Sequence, residues 1–304
     1  MGSIKNKKIL ILGGTGFLGN KLISSLLNEN LQIYLLARNS RTRKDLQKYN
    51  SNINIKIFDW IGTDSKIIEK ILKEVNCVIN LCGILYENRT GDFDRVHSEL
   101  PSLLGELCLK NNIETFVHVS ALGVSEFSDS KYSRSKAIGD KRLLENFPKA
   151  KILRPSLLFG KGDNFFGQFS KMSSISPALP LISKNTRFQP IFVDDVVLAI
   201  IKLISKKDIK GNIFEIGGKF AYTFEELLKI LLDIKNIKRL LIPLSPNLMI
   251  FPAFFLQLLP KPPFTVDQMK LLRKDNIVNG NLPGLESLGI KATNMKKELE
   301  KIYK

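Results

Sequence analysis

The sequence predicts an α/β fold: a doubly wound parallel sheet over residues 1–155, followed by a smaller α+β unit over residues 156–304. Three observations predict it. Short β-branched runs alternate with longer amphipathic ones through the first half. Those short runs are apolar on both faces, as strands covered by helices above and below must be. The segment Gly13 to Gly19, GGTGFLG, joins the first such run to the first helical one.

In chain order the predicted strands are KKILIL, LQIYLLA, NIKIFD, CVINLCG, ETFVHVS and AKILRPS. Between them lie helices ending near Leu27, over Ser65 to Val75, over Leu100 to Leu109, and from about Tyr132 to Glu145. After Pro155 the rhythm breaks into FQPIFVDD, a helix over Val196 to Ile204, the strand NIFEIG and a helix opened by Thr223, which has capping-box spacing to Glu226. Residues 188–218, by this pattern, return to the main sheet. Pro and Phe gather from Pro243 to Phe264, which suits a smaller, less regular substrate-type unit.

With 304 residues, 44% of them hydrophobic, the chain can bury one large core or a main core with a smaller one beside it. Cys77, Cys82 and Cys108 are too few and scattered for a disulfide framework or a structural zinc site, and two histidines cannot build a His-rich metal centre. No metal is therefore expected, and the compartment is a reducing one. The first strand begins near Lys8, leaving no room for a signal or transit peptide, so the expected location is the cytoplasm of a bacterium, including the cytoplasmic face of its inner membrane. The net charge is +17, yet Lys greatly outnumbers Arg and the basic residues are spread along the chain, as an AT-rich genome would produce. Nucleic acid is not an expected partner; weak attraction to anionic lipid is.

A strand that ends in glycines and opens a helix lets the backbone approach a pyrophosphate, whose charge the helix N-terminus favours. Gly13, Gly16 and Gly19 supply that pattern. The second strand ends LLAR: an acid there would hold the ribose 2′-hydroxyl of NAD, whereas Arg38, followed by Arg41 and Arg43, offers guanidinium groups to a 2′-phosphate. NADPH is accordingly favoured over NAD. Asp59, with Trp60 beside it, ends the third strand where it can reach adenine. Tyr132 and Lys136 stand four apart on one helix face, where an ammonium stabilises a phenolate and also reaches the nicotinamide ribose hydroxyls.

The set GGTGFLG, NLCG (Asn80 to Gly83), YSRSK, ILRPSLLFGKGD (Ile152 to Asp163) and QPIFVDDVVLAI (Gln189 to Ile200) resembles the extended short-chain dehydrogenase/reductase superfamily across nearly the whole chain. Within it, VHVSALG, PFTVDQMKLLRKDNIV and LPGLESLGIKAT (Leu282 to Thr293) resemble the atypical branch that contains the nucleotide-binding accessory subunit of respiratory complex I, the alpha subcomplex subunit nine family. The resemblance implies a Rossmann domain with tightly held NADPH, docked on the peripheral arm of complex I near the membrane, with a role in stability and assembly. It implies that Gly13, Thr15, Gly16, Phe17 and Gly19 cradle the pyrophosphate, Arg38 the 2′-phosphate, and Tyr132 and Lys136 the ribose. By the same resemblance Cys82 and Gly83 would line the cofactor, and Leu18, Arg43, Asp59, Trp60, Leu81 and Pro155 would complete its surroundings.

One departure bears on chemistry. Active relatives place a Ser or Thr just after the fifth strand to polarise the substrate oxygen. Here Ser120 falls about two residues early and Leu122 takes the expected position, so Ser120 is a weak catalytic candidate beside Tyr132 and Lys136; Ser125 and Ser130 are the nearest substitutes. Asp194 and Asp195 open a helix and read as caps. Leu240 to Leu259 is long enough to span a bilayer, but Pro243, Pro246 and Pro252 break it. That segment reads as core packing or as an apolar face for a partner or a membrane, with Lys235, Lys238, Arg239 and Lys261 beside it. The expected function is an NADPH-binding accessory subunit without turnover; the alternative is an NADP-dependent reductase or epimerase in quinone or sugar-nucleotide metabolism.

Overall fold

The structure, a computed structural model, describes residues 4–27, 29–38, 52–60, 62, 65–206, 208–257, 259, 262 and 264–304. Arg41, Arg43 and Lys261 lie outside the described residues. Seven parallel strands form the main sheet: β1 (Lys8–Leu12), β2 (Gln32–Ala37), β3 (Ile55–Asp59), β4 (Cys77–Asn80), β5 (Thr115–Val119), β6 (Lys151–Pro155) and β7 (Ile213–Ile216). Their spatial order is β7-β6-β5-β4-β1-β2-β3, so the order reverses beside β1, at the crevice between β1 and β4 where a doubly wound sheet takes its ligand.

Alternating side chains of each strand feed two cores. Ile9 and Ile11 of β1 face α1 (Phe17–Leu26), while Leu10 and Leu12 face α2 (Ser65–Leu72), α3 (Leu100–Lys110) and α4 (Lys131–Asn146). A π-helical turn, Asp94–Glu99, leads into α3. After β6 come α5 (Phe166–Ile175) and then α6 (Val193–Ser205), which lies beside α1 and buries Val196, Val197, Ile200 and Leu203 in the first core. A third core gathers Phe159, Phe166, Phe169, Phe188 and Phe224 with α7 (Phe224–Ile234) and the C-terminal α10 (Met295–Tyr303). Between these last two lie α8 (Pro246–Leu256) and α9 (Val266–Leu271).

Several elements differ from the sequence reading. Helix α6 starts at Val193, three residues before the expected Val196, and its N-cap Phe192 has no side-chain cap. Asp194 and Asp195 therefore sit in the first turn and do not cap. Asp195 instead accepts from the Thr293 backbone N–H at 2.8 Å and hydroxyl at 2.7 Å, tying down the C-terminal tail. Helix α7 does carry the capping box of Thr223 and Glu226. The apolar run Leu240 to Leu259 divides into a short strand, Leu240–Leu244, paired with Ala178–Ile182, and the helix α8. Among the described residues no helix is long and apolar enough to cross a membrane.

Candidate dinucleotide site

The loop from β1 to α1 is shaped by what cannot fit there. A Cβ at Gly13, whose φ is +78°, would lie 2.8 Å from the Leu81 carbonyl carbon, and one at Gly19 would lie 2.5 Å from the Gly13 carbonyl oxygen. Both glycines are fixed by close backbone approach. At Gly16 the nearest atom is 3.4 Å away, and this exposed residue is the N-cap of α1, with no side chain capping the helix. The first-turn N–H groups are thus left for a ligand, and the terminus favours an anion. This is the geometry a pyrophosphate needs.

Around that terminus the expected residues separate into two sorts. Thr15, Gly16, Phe17, Leu81, Cys82 and Gly83 are half-buried or exposed at the crevice. Arg38 is exposed immediately after β2, and Asp59 ends β3 in register with Ala37. The side chains of Leu18 and Trp60 are buried in the two sheet cores. Pro155 is buried at the end of β6, where its carbonyl accepts from the Leu122 N–H at 2.9 Å.

Helix α4 is capped by Ser130, which accepts from the Ser133 N–H. Tyr132 and Lys136 lie on its inner face. The Lys136 ammonium donates to the Val119 carbonyl at 3.3 Å and reaches the Cys82 carbonyl at 3.5 Å, so it bridges the ends of β4 and β5 beside the crevice. Burial pulls Lys136 down to about 8, opposed first by the Asp140 charge. Burial also pushes the Tyr132 phenol up to about 12, so in this state it holds its proton. His97 packs edge-on against Tyr132 at 5.1 Å; its Nε2 accepts the Ile84 N–H at 3.1 Å and its Nδ1 meets the Ser135 hydroxyl at 3.0 Å. His97 and Asp140 belong to this site, and the sequence reading missed both. For Asp140 the signal was present, because it continues the four-residue spacing of Tyr132 and Lys136.

Ser120 is buried, and its hydroxyl faces the Asp140 carboxylate beneath α4. Leu122 is also buried, and its carbonyl accepts from Asn276 Nδ2 at 3.0 Å. The two substitutes have other partners, Ser125 accepting from the Phe127 N–H and Ser130 donating to the distant Asp267. Of the three candidate serines, Ser125 and Ser130 are thus committed to other partners and Ser120 faces Asp140. Among the described residues no cluster of His, Cys, Asp and Glu is arranged to hold a metal ion.

A sequence model of the NAD dependent epimerase/dehydratase family matches residues 9–217. The protein named NADH dehydrogenase [ubiquinone] 1 alpha subcomplex subunit 9, mitochondrial, of Dictyostelium discoideum is 30% identical over 296 residues, covering 95% of this chain and 82% of that one. Its Mus musculus namesake is 30% identical over 303 residues, covering 96% and 78%. Among solved structures, dTDP-glucose 4,6-dehydratase from Bacillus anthracis in complex with NAD superposes with a TM-score of 0.72 over 98% of this chain and 95% of that one, at 15% identity. A likeness at that identity is one of fold.

Proposed function

The chain belongs to the NAD dependent epimerase/dehydratase family, and from that premise we propose that it is a nucleotide-binding accessory subunit of respiratory complex I with no turnover of its own. One observation carries the reading. The family match ends at residue 217, but the likeness to proteins named as subunits of NADH dehydrogenase [ubiquinone] continues across 95% of the chain and takes in the C-terminal unit. Leu122, at the position where active relatives carry a Ser or Thr, supports it, because binding needs the Tyr132 and Lys136 grip on ribose and turnover needs more.

The cofactor in this reading is NADPH. The family binds a nicotinamide dinucleotide, and Arg38 at the end of β2, where an acid would select NAD, favours a 2′-phosphate. When bound, NADPH would supply a hydride; here its part is to order the crevice. The location proposed is the cytoplasmic face of a bacterial inner membrane. Helix α8 supports that placement by exposing Leu248 at 73% and Phe251 at 72%, with Phe254 and Phe255 beside them and Lys238 and Arg239 close in sequence.

A Gly16→Glu variant tests the proposal, because it sets a carboxylate at the helix terminus without crowding the fold. A stable variant without nucleotide should fail to enter the complex; normal assembly would refute the reading. The second reading, an NADP-dependent reductase or epimerase, is favoured by the intact Tyr132 and Lys136. It requires Tyr132→Phe to abolish a turnover that the wild-type chain possesses.

A further inference from the structure

Beneath α4, a polar layer crosses the sheet where apolar packing would be expected. Asn80, His118, Arg154 and Glu215 come from four neighbouring strands, β4, β5, β6 and β7, and Asp140 enters from α4 above them. Asp140 is 1% exposed and accepts from Arg154 Nε at 2.8 Å. Tyr132, Lys136 and Asp140 stand at i, i+4 and i+8, so one helical stripe carries phenol, ammonium and carboxylate in line.

The tautomer of His118 follows from its neighbour. Asn80 Oδ1 accepts the Cys82 N–H at 3.0 Å, which turns the Asn80 amide nitrogen toward His118 Nδ1 at 3.2 Å. Nδ1 therefore accepts, and Nε2 carries the ring proton toward Asp140 Oδ1, 3.8 Å away. His118 Nε2 has no other partner, while the Asp140 carboxylate also faces the Ser120 hydroxyl. Cys82 thus touches both Asn80, which leads to His118, and Lys136, whose charge is felt by Asp140 one helical turn on.

Lys136 is 3% exposed and its hydrogen-bond acceptors are neutral carbonyls, which do not balance a buried charge. The titratable groups facing it are Tyr132 and Asp140 from its own helix, Cys82 from the end of β4, His97 from the π-helical turn and His118 from β5. Burial keeps both histidines neutral and holds the Cys82 thiol up at about 11. Glu215 faces Arg154, so the guanidinium is shared between two carboxylates. Asp140 is left as the counter-charge.

We propose that Asp140 is a positioning residue of the dinucleotide site: anchored by Arg154 and faced by His118, its carboxylate keeps Lys136 an ammonium aimed across the Cys82 and Val119 carbonyls at the cofactor ribose. The proposal rests on the reading that a nicotinamide dinucleotide binds at this crevice. It explains why an acid is buried four residues beyond the lysine, where burial alone would exclude it.

The test is a pH titration of the Lys136 ¹³Cε resonance in the full-length protein, assigned by its loss in Lys136→Met, together with NADPH affinity at each pH. The wild-type midpoint should lie near pH 8. Asp140→Asn should lower it by about one unit or more and weaken NADPH binding about tenfold at pH 7.5, with near-normal affinity restored in acid. The double variant Asp140→Asn/Arg154→Gln removes the carboxylate without stranding the guanidinium, and should shift the midpoint the same way. An unchanged midpoint in both variants, with affinity lost equally at every pH, would show Asp140 to be merely structural and overturn the proposal. A wild-type chain that binds no NADPH at any pH would instead contradict the dinucleotide reading, while the midpoint comparison would still decide the role of Asp140.

Discussion

Asp267 caps the helix that carries Tyr132. Its carboxylate accepts from the Ser130 hydroxyl at 2.7 Å, from the Lys131 N–H at 2.7 Å and from the Tyr132 N–H at 3.0 Å. The short helix α9 is thereby fastened to the N-terminus of α4, and its next residue, Gln268, reaches the Leu85 carbonyl at 3.5 Å. A cleft of about 690 Å³ opens beside this contact, lined by Tyr86, Phe93, Phe254 and Val266. The position of Tyr132 therefore depends on a residue 135 positions away in sequence.

Removing that cap should be felt at the cofactor. Loss of an N-cap carboxylate costs about 0.5–2 kcal/mol, so Asp267→Ala should lower the unfolding free energy by that order and weaken NADPH binding together. Thermal melts with and without nucleotide measure both effects. A variant with unchanged stability and affinity would mean that α9 does not hold the site.

The glycine loop makes a contrast between two conservative changes. Gly19→Ala puts a methyl group 2.5 Å from backbone atoms of Gly13 and Gly14, a clash of the kind that costs about 1–3 kcal/mol or more. Gly16→Ala meets only the Gly13 oxygen, at 3.4 Å. Nucleotide binding should collapse in the first and largely survive in the second. Equal losses in both would place the phosphate cradle elsewhere.

Acid should destabilise the fold through its two histidines. Burial holds His97 down to about 2 and His118 well below the usual range, so below about pH 6.5 the unfolded chain binds protons that the folded one refuses. Stability then falls as pH drops through that value, by about 1.4 kcal/mol per unit for each ring. The raised carboxyls of Asp140 and Glu215 take up protons in the fold and oppose this trend at lower pH. Urea melts between pH 7 and 5.5 should show the slope, and His97→Gln should roughly halve it; a flat wild-type profile would contradict the neutral assignment.

The exposed face of α8 should matter to docking and not to folding. Phe251 and Phe255 pack ring against ring at 5.1 Å, yet both remain more than half exposed. Phe251→Glu/Phe255→Glu should leave the melting temperature within a degree or two, since surface changes are worth about ±0.5 kcal/mol. It should abolish sedimentation with anionic vesicles. Undiminished vesicle binding would contradict the proposed membrane contact of α8.

Local pattern made much of this structure legible. The apolar runs of β1, β2 and β4 are buried on both faces because the helices that follow them cover both, and that periodicity is written within each segment. The Gly13 to Gly19 turn was readable for the same reason, since its constraint lies within a few residues. What escaped was decided between distant segments. Asp195 reads as a cap from its position, but its partner Thr293 lies 98 residues on. Asp267 gave no sign that it would cap α4. The run Leu240 to Leu259 was split by Ser245, which caps α8, and by pairing of its first part with Ala178–Ile182, a partner that hydropathy alone does not identify.

The most direct test of the central claim is a tagged pull-down from gently solubilised membranes of the native host, with mass spectrometry of the proteins and of the nucleotide released on denaturation. The account predicts NADH dehydrogenase subunits recovered together with NADPH. A soluble chain recovered without those subunits, or one carrying only NAD, would contradict it.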